Sequence, residues 1–69
     1  MKNKFGIRLK ECMQEKSVKQ ADLAKHLNVS EACINYWLNS KKQPTADNII
    51  AAAQFFGVST DYLLGVSEY

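Results

Sequence analysis

The apolar residues of this chain recur at spacings of three and four along almost its whole length, and one proline, Pro44, with three glycines is all that punctuates them. That is the helical period, not the alternation of a strand, so the fold class is all-α. The 69 residues allow one compact domain spanning residues 1–69, because a chain this short buries only about 60% of the surface its unfolded form exposes. The core is expected over residues 4–65, with residues 66–69 prone to fray.

Five short helices follow from the spacing. The first is expected from Lys4 to Lys16, with Phe5, Leu9, Cys12 and Met13 on one face and Lys10, Glu11 and Lys16 left for solvent. The second starts at Lys19 or Gln20, buries Leu23, Ala24 and Leu27, and sets Asp22 in its first turn, where a carboxylate meets the helix dipole favourably. Asn28 supplies the left-handed conformation that ends a helix and turns the chain. Ser30 caps a third helix, Glu31 to Asn39, which buries Ile34 and Trp37 with Cys33 or Leu38 at the edge. Ser40 to Pro44 is a loop. Thr45 caps a fourth helix whose Ile49, Ile50, Ala52, Ala53 and Phe56 mark it as the most buried of the five, and Gly57 closes it. Ser59 caps a short fifth helix through Tyr62, Leu63 and Leu64, with Gly65 as its stop.

The stretch from Gln20 to Asn39 carries the functional signal. Leu23, Leu27, Val29, Ile34 and Trp37 bracket a tight turn at Asn28, and small Ala24 stands where two helices cross closely. Two helices joined at about 90 to 120° by a short turn leave the second protruding. Such a helix fits the major groove of B-DNA, about 12 Å wide.

These residues resemble the Cro/repressor type of helix-turn-helix domain, the Xre family, whose fold is the five-helix lambda-repressor-like domain with the motif formed by helices 2 and 3. The resemblance runs from Phe5 to Gly65. It includes Arg8-Leu9-Lys10-Glu11, Gln20-Ala21-Asp22-Leu23-Ala24, Val29-Ser30 with Ile34, Pro44, Gly57-Val58-Ser59 and Asp61-Tyr62-Leu63-Leu64-Gly65. It implies a sequence-specific double-stranded DNA-binding transcriptional regulator, a bacterial or prophage repressor acting as a homodimer on a palindromic operator. By position, it implies that Glu31, Ala32, Asn35 and Tyr36 face base edges, with Cys33 close by. Gln20 would bind backbone phosphate and buttress the third helix, and Asn39, Lys41 and Lys42 would meet the backbone together with Lys19 and Ser30. The dimer contact is expected on the last helix and tail, at Tyr62, Leu63, Val66 and Tyr69.

Elementary chemistry supports these roles. Phosphate contacts want cations, side-chain amides and hydroxyls, whereas base reading wants short polar side chains on a protruding face. Asn35 suits a bidentate bond to adenine, Ala32 a thymine methyl, Glu31 the amino group of cytosine, and Tyr36 a phosphate or sugar. The departures from the family are specific. Glu31 places a carboxylate where relatives often carry a basic or neutral polar residue, and no Lys or Arg lies in the third helix. Lys19 replaces a capping Thr, and Ser40 replaces a frequent Gly at an expected small cost. Met13 and Leu38 stand where many relatives bury an ion pair, a double replacement that removes the desolvation penalty together with the attraction.

Other function classes recede. No apolar run approaches the roughly 20 residues of a membrane span, the basic start Met1 to Phe5 lacks a signal-peptide core, and the cytoplasm is the expected compartment. Cys12 and Cys33 are expected reduced, as small apolar fillers; for Cys33, beside the DNA-facing surface, a redox switch is the competing reading. Two thiols and His26 do not complete a tetrahedral zinc site, and His26 reads as a solvated surface residue. Trp37, Phe55 and Phe56 read as core rather than base-stacking residues. Asp22, Glu11 and Glu15 lack a catalytic partner at local spacing, so no enzyme activity, cofactor, metal or small-molecule ligand is expected. The net charge of +2 permits nucleic-acid binding without demanding it. With Glu31 and the uncharged remainder of the third helix, that leaves an alternative: a protein-interaction module, antitoxin-like or a regulatory partner, that keeps the fold with little DNA binding.

Overall fold

Helix ends in this protein coincide with residues that bend or cap the backbone. The structure, a computed structural model, describes residues 3–68; Met1, Lys2 and Tyr69, one of the four positions expected at a dimer contact, lie outside the described residues. Its elements are α1 (Phe5–Lys16), α2 (Gln20–Leu27), α3 (Glu31–Leu38), α4 (Ala46–Phe56) and α5 (Thr60–Leu64). The hydroxyls of Ser30, Thr45 and Ser59 accept the backbone N–H of Cys33, Asn48 and Tyr62 at 3.0, 3.2 and 2.9 Å, satisfying donors that open α3, α4 and α5. Lys19 makes no such bond, as its replacement of a capping residue implies. Ser17, Asn28, Gly57 and Gly65 close α1, α2, α4 and α5 in the left-handed region. The third helix ends one residue before the sequence predicts, with Asn39 as its C-cap and the left-handed turn deferred to Ser40 at φ 56°.

The core gathers Phe5 and Leu9 of α1, Leu23 of α2, Ile34 and Trp37 of α3 and Leu63 of α5. The Phe5 and Trp37 rings meet edge to face with centroids 5.7 Å apart, which ties α1 to the C-terminal half of α3. Gly6 makes that approach possible. A Cβ there would collide with the Trp37 carbonyl oxygen and lie 3.1 Å from the Leu38 carbonyl oxygen and Ser40 Oγ. The sequence gives no sign of this role for Gly6, because a close crossing leaves no trace in one segment alone.

Three expectations change. The fourth helix is not the most buried: α1 buries five positions, whereas α4 buries Ala52, Ala53 and Phe56. α1 packs against both α3 and α5, while α4 packs against α5 and α2 along one face, which leaves Ile50 47% exposed. His26 is exposed, yet its ring lies against Phe55 of α4 with centroids 4.5 Å apart, so it links two helices rather than standing alone in water. Phe55 in turn meets Phe56 edge to face at 4.9 Å, a packing role for both. No helix among the described residues is long and apolar enough to cross a membrane.

Candidate nucleic-acid interface

Three residues, Asn28, Val29 and Ser30, join α2 to α3, and their conformation is fixed by local bonds. Asn28 holds φ 59° and donates to the Lys25 carbonyl at 3.3 Å, while Val29 donates to the Ala24 carbonyl at 3.0 Å. That bond pair is the Schellman closure, which turns the chain within one residue of the helix end. Ala24, 4% exposed, keeps the crossing tight. The sequence pattern of a short helix, a left-handed Asn and a Ser cap therefore produces a second helix with a fixed exit direction.

On α3, Ile34 and Trp37 anchor one face in the core at 0% and 2% exposure. Glu31, Ala32, Asn35 and Tyr36 are all exposed on the other. Cys33 is half-buried and packs against the core edge, as does Leu38. The structure thus brings the four expected base-facing residues onto one exposed face. Glu31 is the first residue of α3, where its carboxylate complements the positive end of the helix dipole. That placement gives the acid a role within the fold.

The expected phosphate-contacting residues flank this face. Lys19 is exposed at the N-cap of α2, and Gln20 is half-buried as its first residue. Among the described residues, Gln20 makes no side-chain hydrogen bond to α3. Ser30 is exposed and accepts the Cys33 N–H, which leaves its own hydroxyl proton available to a phosphate oxygen. Lys41 and Lys42 are exposed, and the Lys41 N–H donates to the Tyr36 carbonyl at 2.8 Å, folding the loop onto the end of α3.

Asn39 behaves differently from its expected role. Its backbone N–H donates to the Asn35 carbonyl at 3.1 Å, and its Nδ2 donates to the same carbonyl at 3.0 Å and to Asn35 Oδ1 at 3.1 Å. Both bonds of its side-chain nitrogen therefore go to Asn35. Sequence spacing puts Asn35 and Asn39 four apart on a helix, the separation at which side chains meet, and that was the available sign of this pair.

The remaining candidates divide. Burial, reinforced by Glu15 and Glu11 and opposed by Arg8 and Lys16, pushes the Cys12 thiol above its ordinary 9.0, the state of an unreactive core thiol. At the expected dimer contact, Leu63 is 0% exposed and offers no side chain to a partner, a correction that follows from the packing of α5 against both α1 and α4. Tyr62 is half-buried beneath the Arg8 guanidinium, which sits 4.4 Å above its ring, and Val66 is 76% exposed.

A family model described as helix-turn-helix matches residues 9–63. The chain belongs to the Xre-type helix-turn-helix family. Within that family, it is 33% identical over 64 residues to the HTH-type transcriptional regulator ImmR of Bacillus subtilis strain 168, across 93% of this chain and 50% of the relative. It is 32% identical over 60 residues to repressor protein C2 of Salmonella phage P22, across 87% of this chain and 28% of the relative. The chain therefore spans half or less of these two relatives. A crystal structure of the P22 c2 repressor with synthetic operator 9T superposes with a TM-score of 0.84 at 30% identity, covering 91% of this chain and 96% of that one. The five-helix lambda-repressor-like fold expected from the sequence is the fold observed.

Proposed function

We propose that this chain is a sequence-specific regulator of transcription, a repressor of bacterial or prophage origin acting in the cytoplasm, which sets α3 into the major groove of double-stranded operator DNA. The observation that carries this reading is the face formed by Glu31, Ala32, Asn35 and Tyr36, exposed together while Ile34 and Trp37 hold the opposite side. The relatives support it: ImmR is named a transcriptional regulator, and the P22 repressor was crystallised with an operator. Asn35 bonds a purine edge, Ala32 meets a thymine methyl, Glu31 accepts from cytosine and Tyr36 reaches a sugar or phosphate. Lys19, Gln20, Ser30, Lys41 and Lys42 take the phosphates on either side, and Cys33 lies just behind the reading face. The protein binds as a homodimer on a palindrome, with Val66 and the exposed part of Tyr62 at the contact.

The test is selection of duplexes from a randomised pool by the purified protein, followed by affinity over salt from about 50 to 200 mM. An enriched palindrome whose affinity falls log-linearly with salt is expected, because each neutralised phosphate releases counterions. Lys41→Ala and Lys42→Ala should each weaken all sequences alike and shallow the slope by about one. No enrichment, with weak and salt-insensitive binding, replaces this reading with a protein-interaction module.

A further inference from the structure

We infer that Asn39 is a positioning residue for base reading: it fixes the orientation of the Asn35 side-chain amide before DNA arrives. The inference rests on the proposed reading of DNA by α3 and adds to it which residue sets the geometry of the reading group.

The Asn35 backbone oxygen only accepts, so the amide of Asn39, at 3.0 Å, must turn its Nδ2 toward it and its Oδ1 away. The same Nδ2 lies 3.1 Å from the Asn35 side chain. Facing a donor, Asn35 must present its Oδ1, which leaves its own Nδ2 on the opposite side. One backbone acceptor thereby dictates the orientation of two successive amides. Asn35 Oδ1 keeps a second lone pair, and its Nδ2 keeps both hydrogens. The pair that a purine edge requires, an acceptor beside a donor, is presented in one order along the groove: acceptor toward the C-terminal end of α3, donor away from it. Adenine offers N6–H and N7 in a fixed order too. The amide orientation therefore selects which strand of an A·T pair is read as well as the pair itself.

Asn39 is at the C-cap of α3, with one Nδ2 bond to the Asn35 carbonyl and the other to the Asn35 side chain. A phosphate oxygen accepts only, so in this arrangement the side chain has nothing to donate to it. Its influence on DNA passes through Asn35.

The test uses the full chain and a double-mutant cycle on base preference. Wild type, Asn35→Ala, Asn39→Ala and the double variant are each taken through duplex selection, then through affinities for the selected site and its single-base-pair variants. Thermal unfolding confirms that each is folded at the binding temperature. Asn35→Ala identifies the base pair it reads. Asn39→Ala is expected to lower discrimination at that same base pair by about two- to tenfold, the range set by ordering one side chain, and to change nothing further once Asn35 is Ala. Asn39→Asp, which keeps the shape but faces Asn35 Oδ1 with an acceptor, is expected to turn the amide over and abolish or reverse the preference there. Its added charge weakens all duplexes alike and leaves relative preferences unaffected.

A uniform loss of affinity in Asn39→Ala with every preference retained overturns the inference and returns Asn39 to a capping or phosphate role. An effect of Asn39→Ala that persists in the Asn35→Ala background overturns it as well. If wild type selects a site and Asn35→Ala leaves its preferences intact, the inference fails while the DNA-binding reading stands. If wild type selects no site, the DNA-binding reading fails and the inference falls with it.

Discussion

Ser40 holds φ 56°, in a region where a Cβ crowds the following carbonyl at a cost of about 1 to 2 kcal/mol. Glycine removes that crowding but loses about 0.5 to 1 kcal/mol in chain entropy on folding. Ser40→Gly is therefore expected to stabilise the protein by about 0.5 to 1 kcal/mol, measured as a higher urea midpoint at unchanged slope. The sequence treats this replacement as nearly free, because a residue type does not display its φ. Cys12 couples stability to pH. Its thiol is pushed above 9.0 by burial and the neighbouring Glu15 and Glu11, so just above pH 9 the unfolded chain has lost a proton that the native one keeps. Stability is accordingly unaffected by this group below that range and falls as pH rises through the window between the ordinary and the raised pKa. In urea unfolding at stepped pH, Cys12→Ser starts less stable at pH 8, and the gap to wild type narrows as pH rises through that window. A constant gap would mean that Cys12 does not titrate differently in the two states.

At the scale of the element, α3 shows one residue serving two demands. Glu31 lies in its first turn, where a carboxylate contributes about 0.3 to 1 kcal/mol against the helix dipole, yet in a complex the same charge faces a phosphate-rich surface. Glu31→Gln is expected to lower stability by that amount and, on the proposed reading, to raise affinity for unrelated duplexes and weaken the preference for cytosine at the base pair facing Glu31. Thermal melts and binding to paired duplexes read the three effects separately. Helix identity and start were legible because Ser30, Thr45 and Ser59 cap in the structure as their residue types imply. The turn was legible because Asn28 is well suited, among residues with a side chain, to the left-handed closure it adopts. What sequence periodicity misses is which apolar face finds a partner. Ile50 has the spacing of a core residue and remains 47% exposed, whereas Leu63, expected at a dimer contact, is buried. Only the packing of α5 between α1 and α4 and the one-sided seat of α4 separate the two cases. The Asn35 and Asn39 pair escaped for a related reason: each was assigned its own DNA contact, although a spacing of four allows them to bond to each other.

The described residues extend over 27 × 24 × 20 Å, shorter in every direction than the roughly 34 to 36 Å separating half-sites one helical turn apart. On the proposed reading, one copy covers one half-site, and a palindromic operator would take two copies. The Val66 side chain, 76% exposed and adjoining α5, is available for a contact between them. If a fixed contact links the copies, inserting about five base pairs between selected half-sites turns the second onto the opposite face of the duplex. Affinity should then drop to that of a single half-site, and Val66→Asp should bring the uninserted operator to the same level without changing half-site affinity. Binding compared across the three duplexes checks both. Affinity that is indifferent to the insertion would make each copy an independent reader, and the specificity of this protein would then rest on α3 alone.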